Sequence, residues 1–173
     1  DNVTLLYYAT FAVQNPNQDN SCCPRNDWNT INANEDWFLH NSAGERWQHP
    51  VYPEGTYFHM KTSNPNYRTH IALLFENITK FDPKIDGIFA DDSAGSYAGW
   101  VNYGLGIPWA RPPPPPYTQQ EYEQAVILTA QRIKQQMGTK ILFTNGATPI
   151  FMPYVDGGMI EDFAVKTGTS GNA

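Results

Sequence analysis

The sequence has few cysteines and no long apolar run. Only two of its 173 residues are cysteine, and they are neighbours, Cys22 and Cys23. A disulfide usually joins residues whose Cα atoms are about 4.4–6.8 Å apart, so a bridge between neighbours would be strained. A rare vicinal bridge, a bond to another chain and two free thiols all stay open. No apolar run approaches the roughly 20 residues of a membrane helix, which excludes a membrane span.

Positive charge and several well-known motifs are also scarce. Lys and Arg number 11 against 17 Asp and Glu, the net charge is -6, and no basic run occurs, which argues against nucleic acid as a partner. No CxxC, HExxH, P-loop, G-x-G-x-x-G or G-x-S-x-G pattern is present, which excludes the usual zinc, nucleotide and serine-hydrolase signatures. An apolar fraction of 40% over this length predicts one folded domain spanning residues 1–173.

Short apolar strands alternate with amphipathic helices along the chain. The run Val3–Ala9 does not alternate and predicts a strand buried on both faces. Further strands are predicted at 56–60, 85–90, 140–144 and 158–160. A loop is predicted at 14–36, and a hairpin at 37–50 that turns around Asn41–Gly44.

Two helices carry clear start and stop signals. The first begins at Ser63 or Asn64, ends before Asp82, and is expected to bury Ile71, Leu74, Ile78 and Phe81. The second begins with a capping box of Thr118 and Glu121 and ends at Gly138. Its predicted buried stripe is Val126, Ala130, Ile133 and Met137.

This alternation predicts an α/β fold with a parallel sheet of βα units. An eight-stranded barrel usually needs about 250 residues, and the sequence offers about four to five strands. The chain is therefore expected to form either part of a TIM-type (β/α) barrel or a small open α/β sheet.

Polar side chains follow three of the predicted strands, as Asp91-Asp92, Asn145 and Glu161-Asp162. The carboxyl ends of parallel strands form one rim, where active sites lie. Two carboxyl groups across a cleft are the minimal equipment for glycoside hydrolysis, so Asp91, Asp92 and Glu161 are the catalytic candidates. Glu161 is expected to be the general acid and Asp91 the nucleophile or base, although the sequence also allows the two roles to be exchanged.

Aromatic residues are concentrated in the long loop 93–116, directly after these acids. Sugar rings stack on aromatic side chains, which suggests a carbohydrate substrate or ligand as the partner. The candidate substrate-binding residues are Tyr8, Asn145, Tyr97, Trp100 and Trp109.

Two other functions fit the same residues. A non-catalytic carbohydrate-binding or scaffold protein would keep the aromatic loop without a complete active site. A metal-dependent hydrolase acting on ester or amide groups of a polysaccharide would bind Mg²⁺ or Ca²⁺ at Asp91-Asp92, although such a site needs further oxygen ligands.

Five segments between Leu5 and Phe163 resemble, in their order and spacing, the TIM-barrel glycoside hydrolases whose specificity is mostly unassigned. The segments are NEDWFLHNSAGERW, SNPNYRTHIALLFENI, DGIFADDS, KILFTNG and DGGMIEDF. The resemblance implies a (β/α)8 barrel, activity on a poly- or oligosaccharide and no organic cofactor. By position, Asp91 matches the family's strand-end Asp and Glu161 its strand-end Glu.

The chain is shorter than a complete member of that family. A complete member has further βα units before Asp1 and after Ala173, and if the mature protein lacks them, another chain is expected to complete the barrel. The acidic, cysteine-poor and aromatic-rich composition further suggests secretion into a carbohydrate-rich environment.

Overall fold

The computed structural model describes residues 3–16, 26–48, 57–91, 118–145 and 149–159. The elements, in chain order, are strand β1 (Leu6–Thr10), strand β2 (Val13–Gln14), helix α1 (Trp28–Asn32), a 3₁₀ turn (Glu35–Trp37), strand β3 (Phe58–His59), helix α2 (Pro65–Phe81), strand β4 (Gly87–Asp91), helix α3 (Gln119–Met137), strand β5 (Ile141–Asn145), a 3₁₀ turn (Met152–Tyr154) and strand β6 (Gly157–Met159). None of the helices in these ranges is long and apolar enough to cross a membrane.

The main sheet is parallel and has the strand order β1-β4-β5-β6. Helix α2 precedes β4 and helix α3 precedes β5, so the connections from β1 to β4 and from β4 to β5 each contain a long helix. The predicted parallel sheet of βα units is therefore confirmed. A separate antiparallel pair, β2 and β3, lies in the long connection between β1 and α2.

The core lies between this sheet and the two long helices, which pack against each other. On the sheet side, it is formed by Ile88, Ala90 and Leu142, each at 0% exposure. The helices contribute larger side chains, among them Tyr67, Ile71, Phe75, Tyr122, Val126 and Ile133. Because side chains alternate along a strand, Phe89 of β4 and Phe143 of β5 point to the other face of the sheet.

Both long helices begin and end where their sequences predict. The Asn64 side chain accepts hydrogen bonds from the backbone N–H groups of Asn66 and Tyr67 at the start of α2. Thr118 and Glu121 form the predicted capping box of α3, and Gly138 ends that helix with φ at 63°. The predicted stripe of α3 is buried in full.

The predicted buried face of α2 is wrong at its last residue. Phe81 is 91% exposed, and the buried side chains are Tyr67, Ile71, Ala72, Phe75 and Thr79. At about 100° per residue, Phe75 lies roughly 40° from Ile71 on one side and Phe81 roughly 80° from it on the other. Apolar residues follow Ile71 along more than one face of the helix, and the face that contains Phe75 packs against the core.

Two further expectations are corrected. The predicted loop 14–36 contains α1, whose Ile31 is buried in the core, and part of the 3₁₀ turn at Glu35–Trp37. Strand β1 is not buried on both faces, because Tyr8 is 44% exposed. The predicted hairpin is confirmed: the chain turns at Asn41–Gly44, and His40 pairs antiparallel with Arg46.

Candidate active site

Three of the predicted site residues meet at the carboxyl end of the parallel sheet. Asn145 donates a hydrogen bond of 2.7 Å from Nδ2 to Oδ1 of Asp91. The Tyr8 hydroxyl donates a short hydrogen bond to the other oxygen, Oδ2. The Asp91 carboxylate therefore accepts a hydrogen bond on each of its oxygens, from strands on both sides of β4.

The strand register explains this meeting. Ala90 of β4 pairs with Thr144 of β5, so the next residues, Asp91 and Asn145, lie side by side. On the other side, Thr10 of β1 is the register partner of Asp91, and Tyr8 lies two residues before it. A side chain as long as tyrosine is needed to span those two residues, a rise of about 6.6 Å along the strand.

Aromatic rings lie directly below Asp91 on the same face of the sheet. The ring centroids of Tyr8 and Phe89 are 5.9 Å apart, and those of Phe89 and Phe143 are 6.1 Å apart. Gly157 of β6 gives room to the Phe143 ring, because a Cβ atom at Gly157 would lie 2.6 Å from that ring. The polar site therefore lies next to a row of aromatic rings, those of Tyr8, Phe89 and Phe143, on the sheet face that points away from α2 and α3.

The connection between β1 and α2 is held by a separate ionic cluster. The Arg46 guanidinium donates to both carboxylate oxygens of Glu35 and lies 3.7 Å above the ring centroid of Phe38. The hydrogen bonds from Arg46 lower the pKa of Glu35 to about 2. This cluster anchors a loop that follows the carboxyl end of β1.

A sequence comparison identifies the family of the chain. The profile of Hypothetical glycosyl hydrolase family 15 matches residues 2–172. The chain belongs to this family. No curated protein sequence matches the chain.

Solved structures place this member of Hypothetical glycosyl hydrolase family 15 among glycoside hydrolase barrels in fold. It superposes on the α-galactosidase of Thermus thermophilus in complex with stachyose with a TM-score of 0.56 and 13% identity, over 87% of this chain and 27% of that one. The same enzyme in complex with p-nitrophenyl α-D-galactopyranoside gives a TM-score of 0.55 and 13% identity, over 87% and 25% of the two chains. The chain spans about a quarter of the length of these structures. The fold expected from the sequence, part of a (β/α) barrel, is confirmed, and completion of the barrel by another chain stays a prediction.

The remaining candidate residues of this family member, Asp92, Glu161, Tyr97, Trp100 and Trp109, lie outside the described residues. Their assignments stay predictions, as does the state of Cys22 and Cys23.

The described part of the chain nevertheless bears on Glu161. Strand β6 is hydrogen-bonded to β5, and its last residue, Met159, is the register partner of Asn145. The last described residue of β6 therefore lies beside Asn145, and Glu161 comes two residues later in the sequence.

Sequence reasoning located the polar rim but missed two aspects of it. It did not foresee that Tyr8 and Asn145 are both hydrogen-bonded to Asp91, and their assignment as substrate-binding residues stays a prediction. It also missed Thr10, which lies next to Asp91 in register and is only 6% exposed. Only the pairing of β1 with β4 reveals these positions, since 83 residues separate Tyr8 from Asp91.

A groove elsewhere in the described chain lies away from this polar rim. This open groove between α2 and α3, lined by Arg68, Gln124 and Leu128 among others, contains none of the predicted site residues. No group of three or more His, Cys, Asp or Glu that could hold a metal ion occurs within the described ranges.

Proposed function

We propose that this protein is a glycoside hydrolase that cleaves O-glycosidic bonds of an oligo- or polysaccharide, with Asp91 and Glu161 as its two carboxyl groups. The observation that carries this proposal is the position of Asp91. It lies at the carboxyl end of a parallel sheet and is hydrogen-bonded by residues from both neighbouring strands. This is the edge where parallel α/β enzymes carry their active sites.

The chemistry needs one proton donor and one carboxylate. In the proposed reaction, one carboxylic acid protonates the leaving glycosidic oxygen. The other group, as carboxylate, attacks the anomeric carbon or takes a proton from an attacking water. Asp91 is the last residue of β4, Glu161 comes two residues after β6 in the sequence, and β4 and β6 both pair with β5.

The family supports the reaction class, and the solved structures suggest where to begin the search for a substrate. The two superposed structures are complexes of an α-galactosidase with stachyose and with a nitrophenyl galactoside. We therefore propose α-galactosides as the first substrates to test, together with other nitrophenyl glycosides and natural oligosaccharides.

The test uses the full-length protein and measures release of p-nitrophenolate and of reducing sugar. Asp91→Asn is expected to lower kcat by about 10²–10⁴-fold on both kinds of substrate, and Glu161→Gln by the same factor on oligosaccharides, because each removes a group that acts in the transition state. Matched controls are Asp82→Asn and Glu123→Gln, since Asp82 lies at the far end of α2 and Glu123 on the outer helix α3.

Each outcome decides between the candidate functions. Unchanged turnover of oligosaccharides in Asp91→Asn or Glu161→Gln would reject that residue's role. Binding of oligosaccharide by a wild-type protein that hydrolyses none of the substrates would favour a non-catalytic carbohydrate-binding protein. Activity that disappears with EDTA and returns with Mg²⁺ or Ca²⁺ would favour the metal-dependent hydrolase.

A further inference from the structure

The two hydrogen bonds to Asp91 differ from contacts that a substrate-binding residue would make. A tyrosine hydroxyl has one proton, and that of Tyr8 is donated to Asp91 Oδ2. The Asn145 amide likewise directs an N–H group at Oδ1. Both side chains therefore donate a hydrogen bond to another residue of the protein.

Their placement on rigid strands suits the fixing of another side chain. Asn145 is the neighbour of Asp91 across the sheet, where a short amide reaches the carboxylate directly. Tyr8 rises from two residues below, with its ring held against Phe89. The two donors come from opposite sides of β4, so they restrict rotation of the carboxylate about its side-chain bonds.

We propose that Tyr8 and Asn145 are positioning residues that hold Asp91 as the carboxylate of the reaction, and that Glu161 is consequently the proton donor. This inference rests on the proposed glycosidase function. It goes beyond that proposal, because it separates the two acid roles that the sequence leaves interchangeable.

The separation follows from the direction of the hydrogen bonds. A general acid must carry a proton on one of its oxygens and direct that proton at the leaving group. A proton on Oδ2 of Asp91 would instead point to the Tyr8 hydroxyl, which can accept a hydrogen bond as well as donate one. An amide N–H can only donate, so Asn145 cannot accept a proton from Oδ1. The arrangement therefore suits a group that acts as a carboxylate and opposes one that delivers a proton.

The proposed step is balanced between the protein, its substrate and water. An Asp91 oxygen forms a bond to the anomeric carbon, or Asp91 takes a proton from a water whose oxygen forms that bond. The bond from the anomeric carbon to the leaving oxygen breaks, and its electron pair takes the proton of Glu161. Water is the other reactant: it attacks the anomeric carbon directly, or it later hydrolyses the bond between Asp91 and the sugar and returns a proton to Glu161. No oxidant or reductant is needed.

The positioning role is tested in the full-length protein with Tyr8→Phe, Asn145→Ala and Asn145→Asp. Tyr8→Phe removes one hydroxyl, Asn145→Ala removes one donor, and Asn145→Asp turns that donor into a like charge. We expect kcat to fall about 10- to 100-fold for the first two and further for Asn145→Asp, with KM changed less than about threefold. The matched control is Tyr154→Phe, since Tyr154 precedes β6 at the amino end of the strands.

A second measurement assigns the acid role through the leaving group. p-Nitrophenolate departs without protonation, because p-nitrophenol is acidic, whereas the alcohol of a natural oligosaccharide needs a proton. We expect Glu161→Gln to retain far more activity on nitrophenyl glycosides than on oligosaccharides, and Asp91→Asn to lose activity on both. The opposite pattern would overturn the assignment.

The outcomes separate this inference from the proposed function. Wild-type kcat in Tyr8→Phe and Asn145→Ala, with Asp91→Asn inactive, would overturn the positioning role and leave the glycosidase standing. A raised KM with unchanged kcat would make both residues substrate-binding instead. If Asn145→Ala lowers Tm markedly, Tyr8→Phe alone decides, and a wild-type protein without hydrolytic activity rejects both proposals.

Discussion

Asn145 and Asp91 are 54 residues apart in the chain and 2.7 Å apart at their hydrogen-bonded atoms. This contact exists because β4 and β5 are adjacent and in register, from Gly87 opposite Ile141 onwards. The two backbones approach closely at this first pair, since a Cβ atom at Gly87 would lie 2.1 Å from the carbonyl oxygen of Ile141. The geometry of the candidate site therefore depends on glycines at the start of the strands.

The two glycines of the sheet should respond differently to alanine. We expect Gly87→Ala to destabilise the fold by at least about 1–3 kcal/mol, because its Cβ would meet backbone that cannot rotate away. Gly157→Ala would meet only the Phe143 ring, so the double variant Gly157→Ala/Phe143→Leu should recover most of the loss. Urea unfolding measures both, and a double variant no better than Gly157→Ala would contradict the packing explanation.

Removal of the Tyr67 hydroxyl should destabilise the junction of β2 and α2. This hydroxyl donates to the backbone oxygen of Phe11 and accepts from Gln14 Nε2 at 3.0 Å, and all three residues are buried. We expect Tyr67→Phe to lower the free energy of unfolding by about 1–3 kcal/mol, because buried polar groups lose a partner. Tyr154→Phe is the control, because it removes a hydroxyl from another ring that packs against the core. An equal loss of stability in both variants would count against a specific role for the Tyr67 hydroxyl.

Acidification should weaken the Glu35–Arg46 cluster. The pKa of Glu35 is lowered from 4.5 to about 2, first by the hydrogen bonds from Arg46. Because the pKa is lower in the folded state, this stabilisation is complete above pH 4.5 and is lost as the pH falls towards 2. Glu35→Gln should therefore lose less stability than the wild type over this interval in urea unfolding at a series of pH values. High salt should shrink the difference, since Glu35 is 60% exposed. Parallel curves for the two proteins would show that the cluster contributes nothing measurable.

The start of α3 offers a test of local sequence signals. Thr118 accepts from the N–H of Glu121, and the Glu121 carboxylate accepts from the backbone and side chain of Thr118, which lowers its pKa. We expect Thr118→Ala to cost about 1 kcal/mol of stability and Thr118→Ser to cost little, because serine keeps the capping oxygen. Chemical unfolding followed by circular dichroism checks this order, and equal stabilities would mean that packing of α3 outweighs its cap.

Local sequence patterns predicted where the helices begin more accurately than they predicted which side chains are buried. The caps at Asn64 and Thr118 act between residues two or three apart, so the sequence alone locates both helix starts. The face of α2 is different, because several apolar spacings pass through Ile71 and only the neighbouring sheet selects the one with Phe75. Helix α1 was missed because five residues rich in Asn carry little helical signal, and their stability comes from the buried Ile31.

The sequence by itself determined the βα alternation, the helix ends and the polar residues that close each strand, since these depend on neighbours within one or two turns. Tertiary structure decided what those polar residues do. Tyr8, Asp91 and Asn145 come from three different strands, and only the order and register of β1, β4 and β5 bring their polar atoms within hydrogen-bonding distance. Pairing between strands is a non-local interaction, so no pattern along one strand states which residue on another will lie beside it.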